Sequence, residues 1–328
     1  MRNLAELPKA HLHVHLESTI RPATLRELAA ANGLPAPDVG TAFAGFRAFG
    51  DHNAAIRDCL RRAEDFTRIA AEFCADEAAA GTRYVEVTFT AASHGERLGD
   101  LAMPLEAVVA GLARGQAEHD IECRLLLDHS RRRSVQRLRA TVELALGHAE
   151  VIGLGLAGEE RYPLTPFAAV LDEAREAGLH LVHHAGEDGG PGSIREALDV
   201  GHSERLGHGI RVLDDPALVA EVRDRGVPLE VCPSSNVALG LVASLAEHPL
   251  PLLLAEGVTV TLNTDIPAVI GTTLAVEYAR VRDTFDLSDS GLAQLARAGV
   301  DASFAPPETK KRLYAGIDAW VAEEPEHH

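Results

Sequence analysis

From residue 84 onward, short runs of β-branched and aliphatic residues alternate with longer amphipathic stretches. The runs are 84–90, 123–128, 151–158, 180–187, 205–209, 228–232 and 258–265. Helical patterning fills the intervals at 105–119, 135–148, 166–177, 215–225 and 274–284, where apolar residues recur at the three- and four-residue spacing of a buried helix face. An earlier apolar run at 8–17 carries His11, His13 and His15 at every second position. With it the strands number eight, and eight βα units predict a closed parallel (β/α)₈ TIM barrel rather than an open sheet. Between the first and second strands, about 20–83, the pattern is helical at 21–32 and 53–80, which reads as a helical insertion. No internal repeat and no low-complexity linker divides the chain, so 1–328 is expected to be one domain.

Side chains alternate faces along a strand, so a regular strand over 8–17 turns all three imidazoles the same way. Each ring needs a partner for two nitrogens, and a metal ion is a partner they can share. Active sites of such barrels lie at the C-terminal strand ends. There the chain offers His13-Val14-His15-Leu16-Glu17, His183-His184-Ala185-Gly186-Glu187, Gly207-His208-Gly209 and Asn263-Thr264-Asp265. His11 lies deeper and is expected to pack in the core. His13, His15, one fifth-strand histidine and Asp265 make three imidazoles and a carboxylate, a set suited to Zn²⁺ or Fe²⁺ with one position left for water. The run 151–158 has no Lys and no carboxylate to bridge a second ion. One divalent ion per chain is therefore expected, zinc ahead of iron.

Composition narrows the ligand. Lys and Arg number 31 against 49 Asp and Glu, a net charge of −18 that repels nucleic acid and anionic membrane surfaces. A small-molecule substrate fits better. Cys59, Cys74, Cys123 and Cys232 show no paired spacing and read as free thiols of a reducing, cytoplasmic setting. No run of roughly 18 apolar residues occurs. Residues 326–328 read as a tag-like tail, so His327 and His328 stay outside the metal set. Aromatic residues are 4% of the chain, yet Phe43, Phe46 and Phe49 recur at every third position. That spacing places them on one helical face, as packing or as an apolar lid over the strand ends.

The H-x-H first strand, His-Ala-Gly-Glu, Gly-His-Gly and Asn-Thr-Asp, in this order across nearly the whole chain, resemble the adenosine deaminase family of the amidohydrolase superfamily. The resemblance implies that His13, His15, His184 and Asp265 hold the metal, that Glu187 protonates a ring nitrogen, and that His208 orients and helps deprotonate the water. It also implies that the Gly158 backbone amide meets the purine and that Glu17 falls at the ribose. His183, on the opposite strand face, is then a packed histidine. Elementary chemistry agrees: a bound Zn²⁺ lowers the pKa of water from about 15.7 to about 7, and a carboxylic acid in an apolar pocket stays protonated to serve as the acid. The activity implied is hydrolytic deamination, with loss of ammonia from an adenosine-like purine nucleoside or related amino-heterocycle. Three further readings stand beside it: deamination of a modified nucleoside such as 6-aminodeoxyfutalosine or a 7-deazapurine, opening of a cyclic amide, and nucleoside binding without turnover.

Three positions depart from the family pattern. Ser18 stands for the usual Gly, His11 for an acidic residue, and Ile266 for the second Asp of Asn-Thr-Asp-Asp-Pro, whose carboxyl group meets purine N7. Ile266 offers that nitrogen no hydrogen bond, and a buried nitrogen left unpaired costs about 1–3 kcal/mol. An unmodified purine is accordingly expected to bind more weakly unless a different donor or water meets that nitrogen, and Ile266→Asp should re-rank adenosine, adenine, 7-deazaadenosine and 5′-substituted adenosines in a deamination assay. Efficient turnover of adenosine by the wild type, with an unchanged ranking in the variant, removes Ile266 from substrate selection.

Overall fold

A computed structural model describes residues 2–39, 42, 43 and 45–323. Its sheet runs β1 (Lys9–His11), β2 (Thr82–Phe89), β3 (Glu122–Ser130), β4 (Val151–Ala157), β5 (His180–Ala185), β6 (Arg205–His208), β7 (Leu229–Val231) and β8 (Val260–Leu262). Each strand pairs in parallel with the next. A bridge between Val14 and Asp265 joins the two ends, so the sheet closes into the expected (β/α)₈ barrel. Outward-facing Val85, Val87 and Phe89 of β2 are fully buried under the helix layer, as a sheet covered on its outer face requires.

The first strand differs from the regular eight-to-seventeen run that its alternation predicts. β1 ends at His11, and a short 3₁₀ turn, Leu16–Thr19, takes over after two single bridges. The break has a local cause: the Asn263 side-chain oxygen accepts the backbone N–H groups of both Leu12 and His13, at 2.8 and 3.1 Å. Ladder pairing is thereby replaced by a side chain. The three imidazoles consequently do not share one environment. His11 turns to Glu77, 2.9 Å from Nδ1, and to Thr264 through Nε2, so it packs in the core as expected, while His13 and His15 go to the barrel mouth.

The insertion after β1 is helical as expected. It comprises α1 (Pro22–Ala31), α2 (Phe46–Asp58) and α3 (Ala63–Ala79). The stretch expected to be one helix over 53–80 is two, broken before α3 where Asp65 accepts the N–H groups of Arg61 and Arg62. Later helices fall close to their predicted spans, Met103–Glu118, Val135–Leu146, Ala168–Glu176, Pro216–Asp224 and Leu274–Phe285. Ala91–Leu98, Pro191–Asp199, Leu250–Ala255, Asp289–Ala302 and Pro307–Ala322 add to the layer. All four cysteines are free and buried; Cys74 and Cys123 lie 3.6 Å apart, sulfur to sulfur.

Residues from β2, β6 and β7 meet inside the barrel, and here the chain buries charge. Arg205 Nε donates to Glu230 at 2.6 Å, its second arm reaches Glu86, and its third nitrogen donates to the Ala302 carbonyl at 3.0 Å. The Phe304 ring lies 3.9 Å from the guanidinium, and its N–H donates to Glu86 at 2.7 Å. Arg205, Glu86 and Glu230 are each at most 1% exposed. Burial alone would push the Glu230 carboxyl group up; Arg205 and His13 hold it below the usual range. Removing the one cation leaves two carboxylates uncompensated. Arg205→Met should cost about 3–5 kcal/mol of unfolding free energy, measured by denaturant titration, and an unchanged midpoint would show that the network adds nothing to stability.

Candidate active site

Every donor predicted at a strand end is in place. His13 and His15 follow β1, His184 lies in β5, His208 ends β6, and Asp265 follows β8. Ring centroids of His13 lie 4.6 Å from His184, 4.7 Å from His208 and 5.5 Å from His15. Asp265 Oδ1 is 3.3 Å from His15 Nε2 and 3.6 Å from His13 Nε2, while His15 and His184 face each other Nε2 to Nε2 at 3.3 Å. One ligand atom each from His13, His184, His208 and Asp265 falls within a 4.8 Å span. That group has His208 where the predicted set has His15, which lies beside it with Nε2 3.3 Å from both Asp265 Oδ1 and His184 Nε2, so five side chains converge.

The fit to a divalent ion is visible in what the donors lack. His13 Nε2 and His208 Nε2 are buried without a hydrogen-bond partner. For His13 Nε2, beside the Asp265 carboxylate, that is costly unless something electropositive joins the two. The surroundings orient the donors. Glu230 meets His13 Nδ1 at 2.8 Å, leaving Nε2 free to ligate, and the Ser235 hydroxyl donates to Asp265 Oδ2 at 2.6 Å. A side chain at Gly207 would place its Cβ 2.9 Å from His13 Cε1, so only glycine leaves room for that ring. His208 and Asp265 both have positive φ, +62° and +61°, a conformation in which non-glycine residues are strained. Strain of this kind is tolerated where side-chain direction matters more than backbone comfort.

Glu187 lies at the rim of the same space, its Oε1 3.6 Å from His208 Nε2. Burial, and then the charges of Asp265 and Glu160, push its carboxyl group well above the usual range, which favours its protonated form. The loop that carries it is held by Glu160. That carboxylate accepts the N–H groups of Gly186 and Glu187 at 2.7 Å and of Asp188 at 3.1 Å. Arg131 ties the same loops together through the carbonyls of His184, Glu160 and Tyr162. His183 is bonded at both ring nitrogens, to Leu156 N–H and the Gly201 carbonyl, each at 2.9 Å.

On the remaining wall, Gly158 turns the chain after β4 with φ +97°. Glu17 is buried and, despite burial, held down to about 2 by His94. Its Oε1 already accepts the Thr90 N–H at 3.2 Å and faces His94 Nε2 at 3.1 Å, so that oxygen is committed within the protein. Asp128 was not foreseen. It pairs in register with Gly155, its Oδ1 is buried without a partner, and burial pushes its carboxyl group up while His15 opposes. Ile266 is wholly buried. Phe43 and Phe49 meet edge to face at 5.5 Å, and the Phe43 N–H donates to the Ala238 carbonyl at 2.9 Å, which pins this segment to the short helix Pro233–Ala238 after β7. The Phe46 side chain and residues 326–328 lie outside the described residues.

Glu230, Arg205, Glu86, Glu160, Asn236 and Asp128 escaped the sequence reading. A lone acid inside the apolar run at 228–232 was the one available signal for Glu230. Glu86 carries the same weak signal, a lone acid inside the apolar run at 84–90, whereas nothing local marks its partner Arg205, 119 positions away.

Comparison with known proteins gives the site a family. Residues 8–320 match the family model for adenosine deaminase. An adenine deaminase of Cupriavidus taiwanensis is 35% identical over 320 residues, covering 95% of this chain and 91% of the relative. The crystal structure of adenine deaminase from Arthrobacter aurescens superposes with a TM-score of 0.91 at 33% identity, over 96% of this chain and 99% of that one. A zinc-bound amidohydrolase structure from Burkholderia ambifaria gives 0.86 at 25% identity, over 98% and 94%. The chain is therefore a C–N hydrolase of the cyclic-amidine class and belongs to the adenosine deaminase family.

Proposed function

We propose that this protein is a zinc-dependent purine aminohydrolase whose substrate is the free base adenine. The position of the buried Glu187 carboxyl group beside the donor cluster, 3.6 Å from His208 and with its pKa pushed up by burial, carries the reading, because an acid held within reach of a metal site but off the metal is what ring-nitrogen protonation requires. His13, His15, His184 and Asp265 are the residues that would hold the ion. When bound there, zinc supplies Lewis acidity that makes water nucleophilic near neutral pH. Glu187 gives its proton to the ring nitrogen next to the amino-bearing carbon. His208 orients the attacking water, Gly158 offers its amide to the purine, and Ile266 presents an apolar edge. The barrel and its helical insertion form one catalytic domain, and the four free thiols suit a cytoplasmic setting.

Adenine is favoured over adenosine by the wall opposite Glu187. One oxygen of Glu17, Oε1, is taken up by His94 and Thr90, which halves what it can offer a ribose. Asp128 offers an unused acceptor, which suits the N–H of an unsubstituted imidazole ring. Relatives named adenine deaminase support the same substrate. Ammonia release by zinc-loaded protein from adenine, 9-methyladenine and adenosine tests it: adenine should be turned over best, and comparable rates on adenosine would contradict the free-base reading. Glu187→Gln should retain zinc and lose roughly 10²- to 10⁴-fold in turnover. Near-wild-type turnover in that variant would remove Glu187 from proton transfer.

A further inference from the structure

We propose that Asn236 and His248 are positioning residues that fix His208 as a hydrogen-bond donor at the reaction centre. The reaction assigned to that centre is the purine deamination proposed above. The inference starts from a group with no choice of role. The backbone N–H of Leu250 can only donate, and it lies 3.1 Å from His248 Nδ1. His248 is buried and held down to about 4 by that burial, so it is neutral; with Nδ1 accepting, its one proton sits on Nε2. That N–H donates to Asn236 Oδ1 at 3.1 Å. The amide orientation is then settled, and Asn236 turns its NH₂ toward His208 Nδ1, 3.2 Å away. His208 Nδ1 accepts, so the ring proton is on Nε2.

His208 Nε2 is the atom that lacks a protein partner and faces Glu187. A nitrogen that bears a proton neither ligates a divalent ion nor takes a proton from water. It can donate to the oxygen that attacks the ring carbon and carries charge afterward. The relay thereby sorts the five converging side chains. His13, His15, His184 and Asp265 are left to hold the ion, and His208 stabilises the attacking oxygen instead of deprotonating it. Asn236 is fully buried and His248 is 3% exposed, so water does not compete for these bonds.

The test reads the tautomer directly, by ¹⁵N NMR of histidine-labelled protein with and without zinc. Wild type should show His208 protonated at Nε2 in both states. Asn236→Asp puts an acceptor against Nδ1 and should move the proton there, with kcat reduced about 100-fold and with KM and zinc content unchanged. His248→Gln keeps a donor toward Asn236 and should keep most activity; His248→Leu should not. An Nδ1 proton in wild type overturns the proposal, as does a tautomer switch in Asn236→Asp without loss of kcat. Because the tautomer is read without turnover, an Nε2 proton in a protein that releases no ammonia from any purine upholds the relay and overturns the assigned reaction instead.

Discussion

Closure of the barrel and assembly of the histidine–aspartate cluster are the same event in this chain. Asp265 donates its N–H to the His13 carbonyl at 3.0 Å and accepts the His15 N–H at 2.9 Å. Its carboxylate meets the rings of the same two histidines. The last strand cannot seal against the first without bringing three donors together. Asn263, two residues earlier, interrupts the first strand so that His13 and His15 leave regular pairing and face the mouth. The strained φ of Asp265 is a local cost of that arrangement, offset by two backbone bonds and the Ser235 hydroxyl.

Below the site, the barrel interior is filled by charge where an ordinary barrel core is aliphatic. Glu86, Arg205 and Glu230 form a dry chain that ends on His13 Nδ1. Such a chain is of doubtful value for stability alone, since well-packed apolar residues often do as well. Its use lies in orientation. A carboxylate fixed on one face of His13 keeps the opposite nitrogen free and aimed at the cluster. Above the site, Glu160 does the corresponding work for Glu187 by gathering three successive N–H groups into one carboxylate. His184 and His208 thus sit on strands, while the loop that carries Glu187 is held by a buried carboxylate.

Much of this was legible from the sequence because it is periodic or local. The βα alternation from 84 onward marks seven strands, and the fold rule for strand ends places His184, Glu187, His208 and Asp265 in one mouth before any coordinates are known. The pattern misled at residues 8–17, where alternation implied an unbroken strand; the interruption comes from Asn263, some 250 positions away, and no local signal records it. The long helix expected at 53–80 failed for a local reason, the Asp65 cap, which apolar periodicity does not register. Arg205, Asn236 and His248 were illegible because each is defined by a partner brought close only by the closed barrel. Ile266 stands out against the family pattern in the sequence, and the structure adds that its side chain is wholly enclosed.

Anomalous diffraction at the zinc edge from crystals of metal-loaded protein is the most direct check on this account. One peak is expected, about 2.0–2.2 Å from the Nε2 atoms of His13, His15 and His184 and from an Asp265 oxygen, with His208 Nε2 outside bonding distance. A peak bonded to His208 in place of His15, a second peak, or none at this position would contradict it.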